Sequence, residues 1–340
     1  MPQINETVFA PALDGGEWIQ HGPVNLKELG GKAVVLIDFW DYTCVNCIHT
    51  LPYVSAWQRR YEKDGLVVVG VHAPEFSFAR DHTNVRTAIK QFGLEYPVVL
   101  DNGYIIWRAY SNRYWPAKYL VDTQGKLRYY HFGEGLYQET ESQIQRLLGE
   151  LNPALEFPPP MEPVRDSDRP GALCYRVTPE LYLGFARGQF GNPAGVAQDR
   201  ATDYSDPGRH AEGVTYLRGR WTVSNESSRA EAADAALALR YTAMDVNLVL
   251  APPAGASGRA ELVLGQDQIG QAQRPGADAK LENGRVFVNV DRPRMYNLVA
   301  NESVLPGSLE LRVLDAGITA YAFTFVSCVV DTRRSEAEPS

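Results

Sequence analysis

The chain has 340 residues, more than one compact hydrophobic core usually encloses, so two domains are expected. With 44% hydrophobic and 22% charged residues it has the composition of a globular protein, and no run approaches the roughly 20 apolar residues of a membrane-spanning helix. A net charge of −8 argues against nucleic acid or an anionic membrane as a partner, and four cysteines are too few for a disulfide framework at this size.

Met1 to Ala12 has neither a basic start nor an apolar core and does not read as a signal peptide. Together with the sparse cysteines this sets the cytoplasm as the expected location, although a chain trimmed from an extracytoplasmic protein would read alike. Ala33 to Phe39 is an apolar strand. After a short polar turn comes Cys44-Val45-Asn46-Cys47, and from there Ile48, Leu51, Val54 and Trp57 recur at helical spacing. Leu66 to His72 is a continuous apolar run, as expected of a strand buried on both faces. Asp81 can cap a helix that lines up Val85, Ala88, Ile89 and Phe92 and ends at Gly93. Tyr96 to Leu100 reads as a short strand, Lys118 to Val121 and Lys126 to Phe132 as a hairpin, and Tyr137 to Leu148 as a closing helix.

Asn152 to Gly171 breaks this alternation with six prolines in 20 residues, which predicts an extended, semi-rigid linker between domains at 1–151 and 172–331. Beyond it the period changes to two. Leu237 to Tyr241, Val286 to Val290 and Leu309 to Val313 alternate, with turn signals at Asn283-Gly284 and Asp315 to Gly317. Short strands at this density predict an antiparallel, jelly-roll-like β-sandwich. Ala186 to Gly213, with five glycines, reads as a long loop, and residues 332–340 as a polar tail.

The chemistry lies at the Cys-x-x-Cys. A thiolate on Cys44 would meet the unpaired N–H groups of a helix start, which favours the ionised, nucleophilic form. Asp38 sits six positions before Cys44 in an otherwise apolar strand, where burial should raise its pKa and let it take a proton from Cys47. The alternatives are a structural zinc half-site, which needs a second ligand pair, and two inert thiols; for Asp38, an edge-strand carboxylate in water.

Asp38 six before Cys44, the cysteine pair itself and Pro52 five after Cys47 together resemble the thioredoxin family, and the string continuing through Leu51-Pro52-Tyr53 is similar to its DipZ type. That resemblance implies an α/β thioredoxin-like domain, with a central mixed sheet flanked by helices, followed by a carboxy-terminal β-sandwich. The segment between the second and third strands is similar to the TlpA and peroxiredoxin-like branches. It further implies that Cys44, Cys47, Asp38 and Glu75 carry the catalysis, and that Trp115, a cis Pro116, Trp40 and Thr43 form the substrate-binding edge. Thr43 stands where the family usually has Trp, and Val45-Asn46 where it has Gly-Pro.

The implied activity is thiol–disulfide exchange, leaning toward reduction of protein disulfides, with an upstream electron donor and no cofactor or metal beyond the cysteines. A thiol peroxidase is the alternative. Its pattern Pro-x-x-x-Thr-x-x-Cys finds Ile37 and Asp41 at the required positions. An adaptor that binds through the sandwich is the third. Glu75 can equally be a solvated loop residue, and His49 and His72 can be structural or acid/base groups. Cys174 and Cys328 are expected as buried thiols, with a disulfide the lesser alternative. Glycan binding by the sandwich is expected to be unlikely, because Trp221 is its only tryptophan.

Overall fold

The structure is a computed structural model and describes residues 8–169, 172–265 and 273–329; the polar tail expected at 332–340 lies outside them. Two compact units, Met1–Asp168 and Arg169–Ser340, divide the chain.

In the first unit a six-stranded sheet has the order β1 (Glu17–Gln20), β4 (Val98–Leu100), β3 (Leu66–His72), β2 (Val34–Trp40), β5 (Ala117–Val121) and β6 (Leu127–Phe132). The pairs β2–β3 and β3–β4 are parallel and the others antiparallel, so the sheet is mixed. All seven residues of β2 are buried, because the sheet is covered on both faces. Leu36 and Trp40 enter the core under helices α1 (Val45–Tyr61) and α4 (Tyr137–Leu151), while Val35, Ile37 and Phe39 enter the core on the other side. Asp38 alternates with Leu36 and Trp40 and therefore faces α1.

Helix α2 (His82–Phe92) starts where Asp81 accepts the N–H groups of Thr83 and Asn84, and stops at Gly93 in the left-handed conformation (φ 61°). Two elements, β1 and α3 (Ile105–Ala109), carry no periodic signal long enough to read from sequence. The buried Asp101 carboxylate creates the start of α3 by accepting the N–H groups of Ile105, Ile106 and Trp107 at 2.7–3.2 Å.

The proline-rich segment is extended, and its first part lies on the first unit. Leu155, Phe157 and Met161 pack against the α1/α4 core. Met161 N–H donates to Glu141, Arg60 and Gln145 donate to the carbonyls of Pro159 and Pro158, and the Tyr53 hydroxyl donates to Asp168.

The second unit is all-β and antiparallel. Its strands are β7 (Leu173–Cys174), β8 (Leu181–Tyr182), β9 (Thr202–Tyr204), β10 (Thr215–Val223), β11 (Ser228–Ala230), β12 (Ala236–Ala251), β13 (Gly258–Leu264), β14 (Ala279–Glu282), β15 (Arg285–Val290), β16 (Arg294–Val313), β17 (Thr319–Val326) and β18 (Cys328–Val329). The long β12 pairs with β10 through Ala236–Leu239 and with β17 through Asp245–Ala251. Since β10 also pairs with β11, and β11 with β17, these four strands close a ring around an apolar interior that includes Leu217, Trp221, Leu248 and Phe323. Asn283 and Gly284, both at positive φ (50° and 78°), make the two-residue turn between β14 and β15.

Two expectations are corrected here. The 186–213 stretch is not a featureless loop. It holds β9, paired with β10, and adds parallel bridges from Phe190 to Thr215 and from Gln198 to Val223, because its backbone groups need partners along that strand. Cys174 is not a buried thiol. It is exposed and disulfide-bonded, and the β7–β18 register sets Cys328 directly opposite it.

Candidate active site

The site forms where β2 ends and α1 begins. Cys44 is the N-cap of α1, and its sulfur accepts the N–H of Cys47 at 3.3 Å. Cys44 is partly exposed and Cys47 fully buried; both are free thiols, so this is the dithiol form. Burial raises the Cys47 pKa well above the usual thiol value, and a hydrogen bond and charge interaction with Cys44 add to the rise. The two sulfurs are thus set for different tasks, one reachable and one held protonated behind it.

Asp38 is fully buried, and neither of its oxygens has a hydrogen-bond partner among the described residues; Trp40 Nε1 and the Tyr96 hydroxyl are likewise unpartnered. Desolvation lifts the Asp38 pKa to about 7, partly offset by Lys118. Lys118 is also fully buried and lies directly opposite Asp38 in the β2–β5 ladder. Its Nζ donates to Gly133 O at 3.3 Å, and burial lowers its own pKa against the pull of Asp38 and Cys47. A buried acid with a pKa near neutrality, facing a buried amine, can gain or lose a proton at physiological pH.

Residues 178–325 match the family described as the thioredoxin-like C-terminal domain, and residues 10–130 match the AhpC/TSA family. The chain is 34% identical over 327 residues to protein DipZ of Mycobacterium bovis, covering 95% of this chain and 44% of DipZ. It is 29% identical over 140 residues to the thiol-disulfide oxidoreductase YkuV of Bacillus subtilis, covering 41% of this chain and 94% of YkuV. A thioredoxin-like protein solved in solution in its oxidised form is 29% identical with a TM-score of 0.40, covering 42% of this chain and 97% of that one. This chain is a thioredoxin-like redoxin. It spans less than half the length of the DipZ proteins it matches.

In the redoxin the Trp115–Pro116 bond is cis, and Pro116 is buried. Trp115 is held by its indole N–H on Ala73 O at 3.0 Å and by the Trp107 ring 4.3 Å away, so α3 and its Asp101 cap fix this side chain. Trp40 and Thr43, expected at the substrate edge, are 0% and 1% exposed: they build the floor beneath the turn and present no surface to a partner. Glu75 is half-buried on the loop after β3, and its N–H donates to Asp41. His49 pairs with Glu134 at 2.9 Å, and His72 is buried at the end of β3 with its pKa pushed down to about 3 by desolvation.

Sequence reading missed Asp41 and Lys118. Both carry a signal in retrospect. Asp41-Tyr42-Thr43 is an Asx-turn pattern immediately before the nucleophile, and Lys118 is the only charge in an otherwise apolar strand two residues past the proline.

Proposed function

We propose that the redoxin is a thiol-disulfide oxidoreductase that reduces protein disulfides. The Cys44 thiolate attacks a substrate disulfide, forming a mixed disulfide and releasing one substrate thiolate. Cys47 then gives its proton to the Asp38 carboxylate and attacks the Cys44 sulfur, closing the Cys44–Cys47 disulfide and releasing the second substrate thiolate. Two electrons pass to the substrate, and an upstream thiol donor must return them. The dithiol is the carrier, without a further cofactor. The backbone edge at Trp115 and the cis Pro116 would hold the incoming peptide, with Glu75 at the rim.

The observation that carries this reading is the division of labour at one helix start, with Cys44 partly exposed at the cap and Cys47 buried one turn behind it on the Asp38 face. It agrees with what the names of YkuV and of the Bacillus cereus thiol-disulfide oxidoreductase ResA state of those proteins. Cys47→Ser tests it: the variant should accumulate partners as mixed disulfides on Cys44 that dithiothreitol releases, and a variant that traps none overturns the reading.

Peroxide reduction is the second reading, favoured by the AhpC/TSA match over residues 10–130. Against it, Asp41 places a carboxylate where the peroxidase pattern has threonine. Peroxide consumption that needs Cys44 and outpaces disulfide reduction would reverse the order. Glycan binding through Trp221 has no support, because that indole is buried and its N–H is used by Arg218 O.

A further inference from the structure

Asp41 is a fully buried acid inside the active-site turn that the exchange steps above leave unused. Three donors converge on its carboxylate: the N–H and the hydroxyl of Thr43 reach Oδ1 at 2.6 Å each, and the N–H of Glu75 reaches Oδ2 at 2.7 Å. His72 Nε2, the basic atom beside it, stands 4.0 Å from Oδ2, outside hydrogen-bond range. Burial raises the Asp41 pKa, and the hydrogen bonds from Thr43 and from Glu75 N–H, which favour the carboxylate, oppose that rise. His72 brings no compensating positive charge, since burial keeps its ring neutral. The backbone carbonyl of Asp41 meanwhile accepts the Cys44 N–H at 3.3 Å.

Two effects follow from this placement. The Thr43 N–H and hydroxyl are consumed by Asp41 and are withheld from the neighbouring sulfur, whose backbone donor is Cys47 N–H. The carboxylate form that these three donors favour also opposes a negative charge on a thiolate of the pair, while the disulfide carries none. Both effects weigh against the reduced, ionised form.

We propose that Asp41 is a positioning residue that ties the Cys44 turn to the Glu75 loop and biases the Cys44–Cys47 couple toward the disulfide, so that the redoxin gives electrons to its partners. This rests on the thiol–disulfide reading and names a residue that sets its direction.

The test equilibrates the full chain with mixtures of reduced and oxidised glutathione and measures the fraction of dithiol by alkylation. The unsubstituted protein should be more reducing than glutathione; a more oxidising couple overturns the proposal before any substitution is made. Asp41→Asn removes the charge at nearly constant shape. It should shift the equilibrium toward the dithiol and speed iodoacetamide alkylation of Cys44 at pH 7, the two factors multiplying to about tenfold; a tenfold shift in the equilibrium alone would be about 30 mV for a two-electron couple. A folded variant that melts lower but keeps both the equilibrium and the alkylation rate would reduce Asp41 to a structural brace. Should the Asn variant not fold, Asp41→Ser is read in the same way, and if neither folds the glutathione result for the unsubstituted chain decides. Failure of the parent reading looks different, since a protein that exchanges with neither glutathione disulfide nor insulin is no oxidoreductase, whatever Asp41 does.

Discussion

The two units treat their buried ionisable side chains differently. Beneath the dithiol the first unit encloses Asp38, Asp41, His72 and Lys118, and both Asp38 oxygens and both His72 nitrogens lack hydrogen-bond partners among the described residues. The second unit fills its interior with Leu, Val, Ala and aromatic side chains, and its least exposed carboxylate, Glu261, is held by two Arg285 nitrogens at 2.6 Å each. A buried ionisable group without partners costs several kcal/mol, and a paired one on a sheet face costs little. The first arrangement persists where a reaction uses the strained groups; the second is how a packing domain disposes of charge. The difference locates the chemistry in the first unit.

The largest expected effect concerns the cysteines themselves. Cys44→Ser should reduce insulin-disulfide reduction to the uncatalysed rate, since no second dithiol stands in reserve. In the unsubstituted dithiol form, Cys44 should be alkylated at pH 7 at least about tenfold faster than Cys47, whose thiolate is disfavoured by burial. Residual turnover in Cys44→Ser that depends on Cys174 would break the comparison, because electrons would then pass through the second unit.

Next is Asp38. Asp38→Asn should slow closure of the disulfide by on the order of a hundredfold, the scale of a lost general base, while Cys44 alkylation stays within about twofold. The stability effect has a definite sign. The native carboxyl holds its proton to about pH 7, against 3.8 for the ordinary group, so the folded state binds more protons between those values and stability falls as pH rises through that window. Asp38→Asn should therefore gain little at pH 4 and progressively more up to pH 7, then level off at a few kcal/mol at most by the scale of about 1.4 kcal/mol per unit. Lys118 limits that gain, because Asn leaves the opposite amine without its counter-charge; adding Lys118→Met should recover it. Urea unfolding across pH reads both variants. A gain that is flat with pH would show that Asp38 is not the titrating group.

A third test concerns the extended segment after α4. A chain ended at Leu151 loses Leu155, Phe157 and Met161 from the core and the ties from Met161 to Glu141 and from Asp168 to Tyr53. Compared with a chain ended at Asp168 it should be about 3 kcal/mol less stable, the scale of burying one or two large apolar side chains. Both should turn over a small disulfide at similar rates, because none of the candidate catalytic residues lies beyond α4. Equal stability would return the segment to the role of a free spacer.

How much of this was legible in sequence follows from the range of each interaction. The strand 34–40, the strand 66–72 and the capped helix 82–92 rest on local periodicity and caps, and the sequence expresses them to within a residue or two. Asp38 was readable because a carboxylate interrupts an apolar strand. Asp41 was not, since its meaning depends on Glu75 N–H arriving from 34 positions away, and Lys118 needs the β2–β5 register to stand opposite Asp38. The 186–213 stretch misled for a related reason: glycine content reports turns, whereas its pairing with β10 is set by tertiary neighbours.

The smallest effect on turnover should come from the Cys174 disulfide. Replacing Cys174 and Cys328 together by Ser should leave insulin reduction within about twofold, because the groups that hold and move the exchanging protons belong to the first unit. Stability should respond instead. Cys328 stands opposite Cys174 in the β7–β18 register, and a closure of that span, nearly the whole length of the second unit, constrains the unfolded chain by about 5 kcal/mol at most in the chain-entropy description. Calorimetry should therefore show one transition moved down and the other unchanged, and dithiothreitol should reproduce the shift in the unsubstituted protein. A double variant that melts normally but no longer reduces insulin would overturn the division between a reacting unit and a packing unit, since the exposed disulfide would then be a station on the electron path.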